Sequence, residues 1–292
     1  MSCRAVVLVC SAAMLAACGS TAATGPMSTP TATPSPLTSR AATEDPTTLV
    51  GSWLVVDAAG AEPGTVLRIG EDLSLWQRCG YRMGSWRVGG VSLFAASLEG
   101  GDGSCFSSAT DVTPAWLAAA ADYAVDTTGV TLMARDGSVV ARLRPGGRPT
   151  PGPNLAPSLA DPPTLTAALK AWLAAPAPLP AALTAATRAQ LVGAWVATGP
   201  RPSTSGMQHT PAGATLRDDG TYSATDGCNG TSGRWEADAD GLVVTGGFST
   251  LVGCDNVDVP HWLSTATTAG FDGATLVLVD KDGHELGRLA RA

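Results

Sequence analysis

The residues of this sequence with the most distinctive chemistry are its seven cysteines. Their thiols can be acylated, oxidised to disulfides or deprotonated to bind a metal ion. Cys3 and Cys10 lie in an apolar amino-terminal stretch, and Cys18 follows directly after it. The other four lie further along the chain, among segments with the alternating pattern of β-strands: Cys79, Cys105, Cys228 and Cys254.

Cys18 has the surroundings of an acylation site. Arg4 precedes an apolar run over residues 5–15, which is too short for a membrane-spanning helix of about 20 residues. The small residues directly before Cys18 resemble the bacterial lipobox, in which the cysteine thiol receives a diacylglycerol and becomes the new amino terminus. Two acyl chains anchor a protein stably, whereas one does not. We therefore predict a lipoprotein signal peptide over residues 1–17, the alternative being an ordinary signal peptide with a chance cysteine.

Four cysteines then remain in the mature chain, an even number that indicates two disulfides in an exported protein. Cys79 and Cys105 are 26 residues apart, and so are Cys228 and Cys254. Of the three possible pairings, the simplest joins each cysteine to its partner at this spacing. The prediction is therefore Cys79–Cys105 and Cys228–Cys254, and each bridge would stabilise the fold by about 3 kcal/mol on the chain-entropy model.

Three further residues are candidates for a binding role. Asn229, beside Cys228 and Gly230, could bind a ligand at a cleft, but a side chain that caps backbone donors in a turn is the favoured interpretation. Trp53 and Trp195 could line a cavity, but packing inside a sheet is the favoured interpretation for strand tryptophans.

No catalytic or metal-binding constellation stands out. The three histidines lack metal-ligand spacing, and the sequence contains neither a Gly-x-Ser-x-Gly elbow nor a phosphate-binding glycine loop. Residues 236–241 begin like a calcium loop, but position twelve is Gly247 instead of an acidic residue, so a hairpin turn is expected. We predict a protein that is not an enzyme and holds no metal or cofactor.

The net charge of the chain excludes some classes of binding partner. The chain of 292 residues has a net charge of −7 and only 15% charged residues, which gives no basic surface for nucleic acid. An acidic protein is not attracted to an anionic membrane either, so any attachment must be covalent or hydrophobic. The prediction is a protein held by its lipid on the extracytoplasmic face of the cell membrane.

Composition divides the chain into two Pro-rich segments and two patterned ones. Residues 18–46, rich in Thr and Pro, cannot bury a core and are predicted to form a disordered stalk. Residues 146–189, rich in Pro and Ala, are predicted to be a linker with a short helix over residues 165–175, capped by Thr164.

The two patterned segments, residues 47–145 and 190–292, share landmarks in the same order, which indicates an internal repeat. In each segment a tryptophan follows the first cysteine by seven residues. The other matched landmarks are Leu-Val-Gly-x-Trp at 49–53 and 191–195, Trp-Leu at 116–117 and 262–263, and an Asp-Gly turn at 136–137 and 282–283.

Each repeat is rich in strand-like runs and contains one helical run, at residues 114–124 in the first and near Pro260 in the second. The fold class expected is mainly β with minor α. It consists of two tandem, small, antiparallel β-sheet or barrel-like domains, each with one short helix. Neither repeat shows a long eight-strand pattern. Since each repeat is about 100 residues long, each is expected to fold alone.

The second repeat is similar to the META domain (HslJ-like) family. The similarity rests on the Gly-Cys-Asn turn at residues 227–229, the Ser-Thr segment that ends at Cys254, a helix, and the closing hairpin at residues 276–289. The first repeat is a diverged relative, with Arg-Cys-Gly at residues 78–80. The resemblance implies a compact antiparallel β domain with one helix, an association with bacterial envelope lipoproteins and stress responses, and no established enzymatic activity.

Two functions from different classes remain open. A lipid-anchored adaptor would bind an envelope protein or a cell-wall partner, and its stalk would project it from the membrane. A carrier would hold a small apolar ligand in a closed barrel, as suggested by the Gly-x-Trp at residues 51–53 and 193–195, which resembles the first strand of lipocalins. A continuous apolar cavity would favour the carrier, and a filled interior would favour the adaptor.

Overall fold

The structure is a computed structural model. All of its described residues belong to one compact unit, Ala42–Ala292. The predicted signal peptide, Cys18, Cys105 and Cys254 lie outside the described residues. Within the described part of the chain, no helix is long and apolar enough to span a bilayer. The described residues are 45–103, 112–153, 155–199, 210–250, 252–253 and 256–292.

The first module is a closed barrel of eight antiparallel strands, in which each strand pairs with the next and β8 pairs back to β1. A 3-10 helix, Pro46–Leu49, precedes the barrel. The elements are β1 Gly51–Ala58, β2 Val66–Ile69, β3 Leu73–Gln77, β4 Gly80–Gly89, β5 Leu93–Gly103, α1 Ala115–Ala118, β6 Asp122–Asp126, β7 Gly129–Met133 and β8 Val139–Pro145.

Alternation of side chains fills this barrel. On β1, Trp53 and Val55 are buried while Val56 is exposed, as the two-residue period of a strand requires. The inward side chains of all eight strands, with Leu117 of α1, form one core. Its largest fully buried members are Trp86 and Phe94.

The segment between the modules is structured. Its helix α2, Ala167–Trp172, is shorter than predicted and is capped by Thr166 instead of Thr164. Leu169 and Leu173 from this segment are buried in the core of the first module. Two short elements follow, β9 Thr184–Ala185 and α3 Arg188–Leu191.

The second module has the same succession of elements. Its strands and β9 form a nine-stranded sheet in the order β14-β13-β12-β11-β10-β17-β16-β15-β9. The elements are β10 Gly193–Ala197, β11 Gly213–Leu216, β12 Thr221–Thr225, β13 Gly230–Ala237, β14 Leu242–Val244, α4 Val259–Thr265, β15 Thr268–Asp272, β16 Thr275–Val279 and β17 Glu285–Arg291.

The two modules are equivalent strand by strand, from β1 with β10 to β8 with β17. The join between the fifth and sixth strands shows this most clearly. In the first module Phe94 N donates to Ala121 O at 2.9 Å, and in the second Leu242 N donates to Thr267 O at 2.8 Å. The mainly β fold with minor α is confirmed.

The expectation that neither repeat has eight strands is wrong. The Ala-rich run at residues 114–124 reads as one helix, but α1 ends at Ala118 and β6 begins at Asp122. Pairing of β6 with β7, which buries Tyr123, outweighs the helix propensity of alanine there. The strand that the sequence pattern did not predict is β6, and its pairing with β5 and β7 is needed to close the barrel.

The modules are packed against each other. Leu93, Ala95 and Val243 form a small apolar cluster between them. Across the same face, Ser97 Oγ donates to Thr245 Oγ1 at 2.9 Å. The backbones approach so closely that a Cβ on Gly241 would lie 2.5 Å from the Gly90 nitrogen. Separate folding of the two repeats stays a prediction, and each would expose this face on its own.

Candidate functional site

The Gly-Cys-Asn turn of the second module lies between β12 and β13. Gly227 has a φ of +95°, a left-handed conformation that glycine adopts without strain. The carboxylate of Asp226 accepts hydrogen bonds from the backbone N–H groups of Cys228 at 2.7 Å and Asn229 at 2.6 Å. The turn is therefore built as an Asx turn, which explains the run of residue types at these positions.

The amide of Asn229 joins this turn to the Ser-Thr segment. Its Nδ2 donates to Asp226 Oδ2 and to the carbonyl oxygen of Val252, each at 2.8 Å. Its Oδ1 accepts from Thr250 Oγ1 at 2.7 Å and from Val252 N at 2.8 Å. All four hydrogen-bonding positions of the amide are thus used within the protein, and the geometry favours the structural role of Asn229.

The same contacts act on Asp226. Burial alone raises the pKa of the Asp226 carboxyl, but hydrogen bonds outweigh it and hold that pKa below its usual range. They come from the Asn229 side chain and from the backbone N–H groups of Asn229 and Cys228. A lowered pKa means that the turn is stabilised by the ionised carboxylate, and this stabilisation is lost as the pH falls through the folded-state value.

Replacement of Asn229 by alanine is expected to lower the free energy of unfolding by about 2 kcal/mol, because partly buried groups lose their partners. The pKa of Asp226 should rise toward its ordinary value. Chemical denaturation measures the first effect, and a pH titration followed by NMR measures the second. An unchanged pKa in the variant would show that the amide does not bond to this carboxylate.

A cleft of about 350 Å³ opens beside the turn. Most of its lining residues have polar side chains, and they include Asp258, directly before α4, and His261 on α4. The Asp258 carboxylate caps this helix by accepting from His261 N, and the His261 ring lies 3.4 Å from Thr265 Oγ1. These contacts place hydrogen-bonding groups at a surface cleft.

Trp53 and Trp195 are both buried, and both make the same contact. The indole Nε1 of Trp53 donates to Leu49 O, and that of Trp195 donates to Leu191 O, each at 2.8 Å. Each indole is therefore held by the helix that precedes its strand. The structure places the two tryptophans in the two module cores, apart from each other and from Asn229.

The predicted disulfides fall partly within the described residues. Cys79 and Cys228 are each disulfide-bonded. Their predicted partners, Cys105 and Cys254, lie outside the described residues, so the two pairings stay predictions.

Sequence reasoning missed a close group of three possible metal ligands. Asp280, Asp282 and His284 have ligand atoms within 4.8 Å of one another on the turn between β16 and β17. The Asp-x-Asp-x-His spacing is visible in the sequence. The Asp280 carboxylate accepts hydrogen bonds from the backbone N–H groups of the other two residues, at 2.9 and 2.8 Å. The group therefore builds an exposed turn.

Sequence reasoning also missed the role of Glu236, which it placed in a hairpin turn. Glu236 is on β13, only 4% exposed. Its carboxylate accepts from Arg135 Nε of the first module at 2.9 Å and from Arg188 Nε of α3 at 3.2 Å. Arg188 also pairs with Asp218 at 2.6 Å and lies over the Trp235 ring at 4.6 Å. We call this set the Glu236 clamp, and it ties both modules to the segment between them.

A comparison with known protein families gives a match, and it covers the second module. The family model of the META domain matches residues 189–292, a range that includes the Gly-Cys-Asn turn, the cleft beside it and the closing hairpin. No curated protein and no solved structure matches the chain. The second module is therefore similar to the META domain family over residues 189–292.

Proposed function

We propose that this protein is a non-enzymatic component of the bacterial envelope, anchored by a lipid on Cys18, and that its two-module body binds an envelope protein or a cell-wall partner. The META domain supports an association with the envelope. The cleft beside Asn229, most of whose lining residues have polar side chains, supplies hydrogen-bonding groups for such a partner.

The observation that carries the proposal is the filled interior of the first barrel. An eight-stranded closed meander is the architecture that lipocalins use to hold a ligand. Here the space is taken by side chains, because Trp86 is fully buried and its Nε1 donates to Gly70 O at 2.8 Å. Binding at the outer surface is therefore favoured over carriage of an apolar molecule inside the barrel.

The surface next to the cleft has the chemistry of a binding face. Phe248 is 67% exposed, and its ring lies over Gly100 of the first module, close to the exposed Met83. Exposed aromatic and Met side chains are enriched where proteins bind partners. Since this face combines residues of both modules, partner binding would require the fused body.

Photocrosslinking in the intact envelope tests this proposal. A photoreactive residue in place of Phe248 should give one discrete crosslinked species, because the partner covers that face. The matched control is the same residue in place of Val139, which is also exposed but lies on β8 of the first module. Equal adduct patterns at both positions, or none at Phe248, would contradict the proposed binding face.

Lipid anchoring has its own test. Cys18→Ala should release the protein into the medium or leave it unprocessed, because the thiol that accepts the diacylglycerol is gone. Detergent-phase partitioning of the parent and the variant measures this. If the variant enters the detergent phase as the parent does, the anchor is not at Cys18.

A further inference from the structure

A second cleft, of about 320 Å³, opens where β14 meets β15 in the second module. Its floor is the core of that module, including Leu191, Leu242 and Ala269. One wall comes from residues 175–179, in the segment between the modules. This cleft is distinct from the one beside Asn229, and the proposed partner binding makes no use of it.

The first module shows how the equivalent position is closed. There the fifth and sixth strands share a second bond, from Tyr123 N to Ser92 O at 3.0 Å. The Ser92 hydroxyl also donates to the Asp122 carboxylate at 3.0 Å. We call the join between the fifth and sixth strands of a module its seam. In the first module, backbone and side-chain hydrogen bonds together close the seam.

The second module lacks this seal. Asp122 pairs with Met133 as Thr268 pairs with Val279, so Thr268 is the counterpart of Asp122. Asp240 is the counterpart of Ser92. Ser92 lies two residues before Phe94 and Asp240 two residues before Leu242, the residues whose N–H groups join the fifth strand to the sixth in the two modules. Among the described residues no bond from Ala269 N to Asp240 O corresponds to the one from Tyr123 N to Ser92 O, and the carbonyl oxygen of Ala269 accepts from Ala186 N, next to β9, at 3.1 Å.

In the second module the hydroxyl of Thr268 has no hydrogen-bond partner among the described residues, whereas its counterpart Asp122 accepts from Ser92. Thr268 lines the cleft and is only 7% exposed, and its Oγ1 makes no hydrogen bond among the described residues. A buried hydroxyl without a partner destabilises a fold, and such groups in native proteins require an explanation. A ligand that bonds to it in the cleft supplies one.

The charge of the lining indicates which ligand. Asp238 and Asp240 are at the rim, and none of the described lining residues is basic. An acidic rim above an apolar floor fits a cation with an apolar body and excludes an anion. We propose that this seam cleft binds a small organic ammonium compound, with its ammonium group between the acidic rim and the Thr268 hydroxyl and its apolar body against Leu191 and Leu242.

Three probes of equal shape and different charge test the proposal: benzylamine, benzyl alcohol and benzoate. Each is titrated into the intact protein at neutral pH while NMR follows the amide signals of the lining residues. The expected result is saturable shifts at the seam cleft with benzylamine, weaker binding of benzyl alcohol and none of benzoate. Benzoate binding as well as benzylamine, or no saturable shift with benzylamine, would overturn the proposal.

Two variants separate the roles of the rim and the hydroxyl. Asp240→Asn should weaken benzylamine about threefold, as expected for one exposed charge pair, and leave benzyl alcohol unchanged. Its control is Asp57→Asn, which removes an exposed carboxylate from the first module and should change neither probe.

Thr268→Val removes the hydroxyl and keeps the branched shape. It should weaken both benzylamine and benzyl alcohol about fivefold, the effect of one lost hydrogen bond. The same variant should melt at a higher temperature without ligand, because a buried unpartnered hydroxyl is gone. Unchanged binding in this variant, or a lower melting temperature, would show that the hydroxyl already has a partner and would overturn its role.

Discussion

Replacement of Trp86 by alanine is expected to lower the free energy of unfolding by about 4 kcal/mol, near the top of the range for large-to-small core changes. The reason is that Trp86 is 0% exposed inside the first barrel, so its loss leaves a cavity in the packed core. Loss of its indole also leaves Gly70 O without its bond. Urea unfolding of the full-length protein measures the change.

The matched control is Trp172→Ala. Trp172 stacks edge-on against Trp86 at 5.5 Å between ring centres, but it is 37% exposed. Its loss should cost about 1 kcal/mol. If Trp86→Ala cost no more than this control, the barrel interior would not be filled as described, and the carrier function would regain support.

The second large effect is expected for Glu236→Gln, about 3 kcal/mol of destabilisation. The substitution keeps the shape but removes the charge, so Arg188 stays largely buried without its carboxylate, and removal of one partner from a buried pair is costly. Because Arg135 belongs to the other module, the variant should also loosen the contact between the modules. Thermal unfolding should then separate into two transitions.

Glu285→Gln is the control for this variant. Glu285 also accepts from an arginine, Arg288 Nε at 2.8 Å, but both side chains are exposed. An exposed pair contributes less than about 1 kcal/mol, so this variant should melt as a single unit close to the parent temperature. Equal effects of the two substitutions would show that the Glu236 clamp is no more important than a surface pair.

Local features of this fold could be predicted from sequence because neighbouring residues create them. Asn229 was expected to cap backbone donors with its side chain, and its Oδ1 accepts from the backbone N–H of Val252. Trp53 and Trp195 were expected to pack inside strands, and both are buried. The matched spacing of the repeat also reflects a real equivalence of strands.

Features that depend on distant residues could not be predicted. The sixth strand of the first barrel is hidden because alanines before Asp122 favour a helix, and only pairing with β7 reveals the strand. Glu236 and Arg135 are 101 residues apart, and no local pattern indicates that they meet. The open seam at Thr268 appears only when two modules are compared in three dimensions.

The central claim is that the two modules form one body, and calorimetry of the unaltered, oxidised protein tests it most directly. The contacts between β13–β14 and β4–β5, with the Glu236 clamp, predict one transition whose calorimetric and van't Hoff enthalpies agree. Two separate transitions in the unaltered protein, with Glu236→Gln shifting only one of them, would contradict the account.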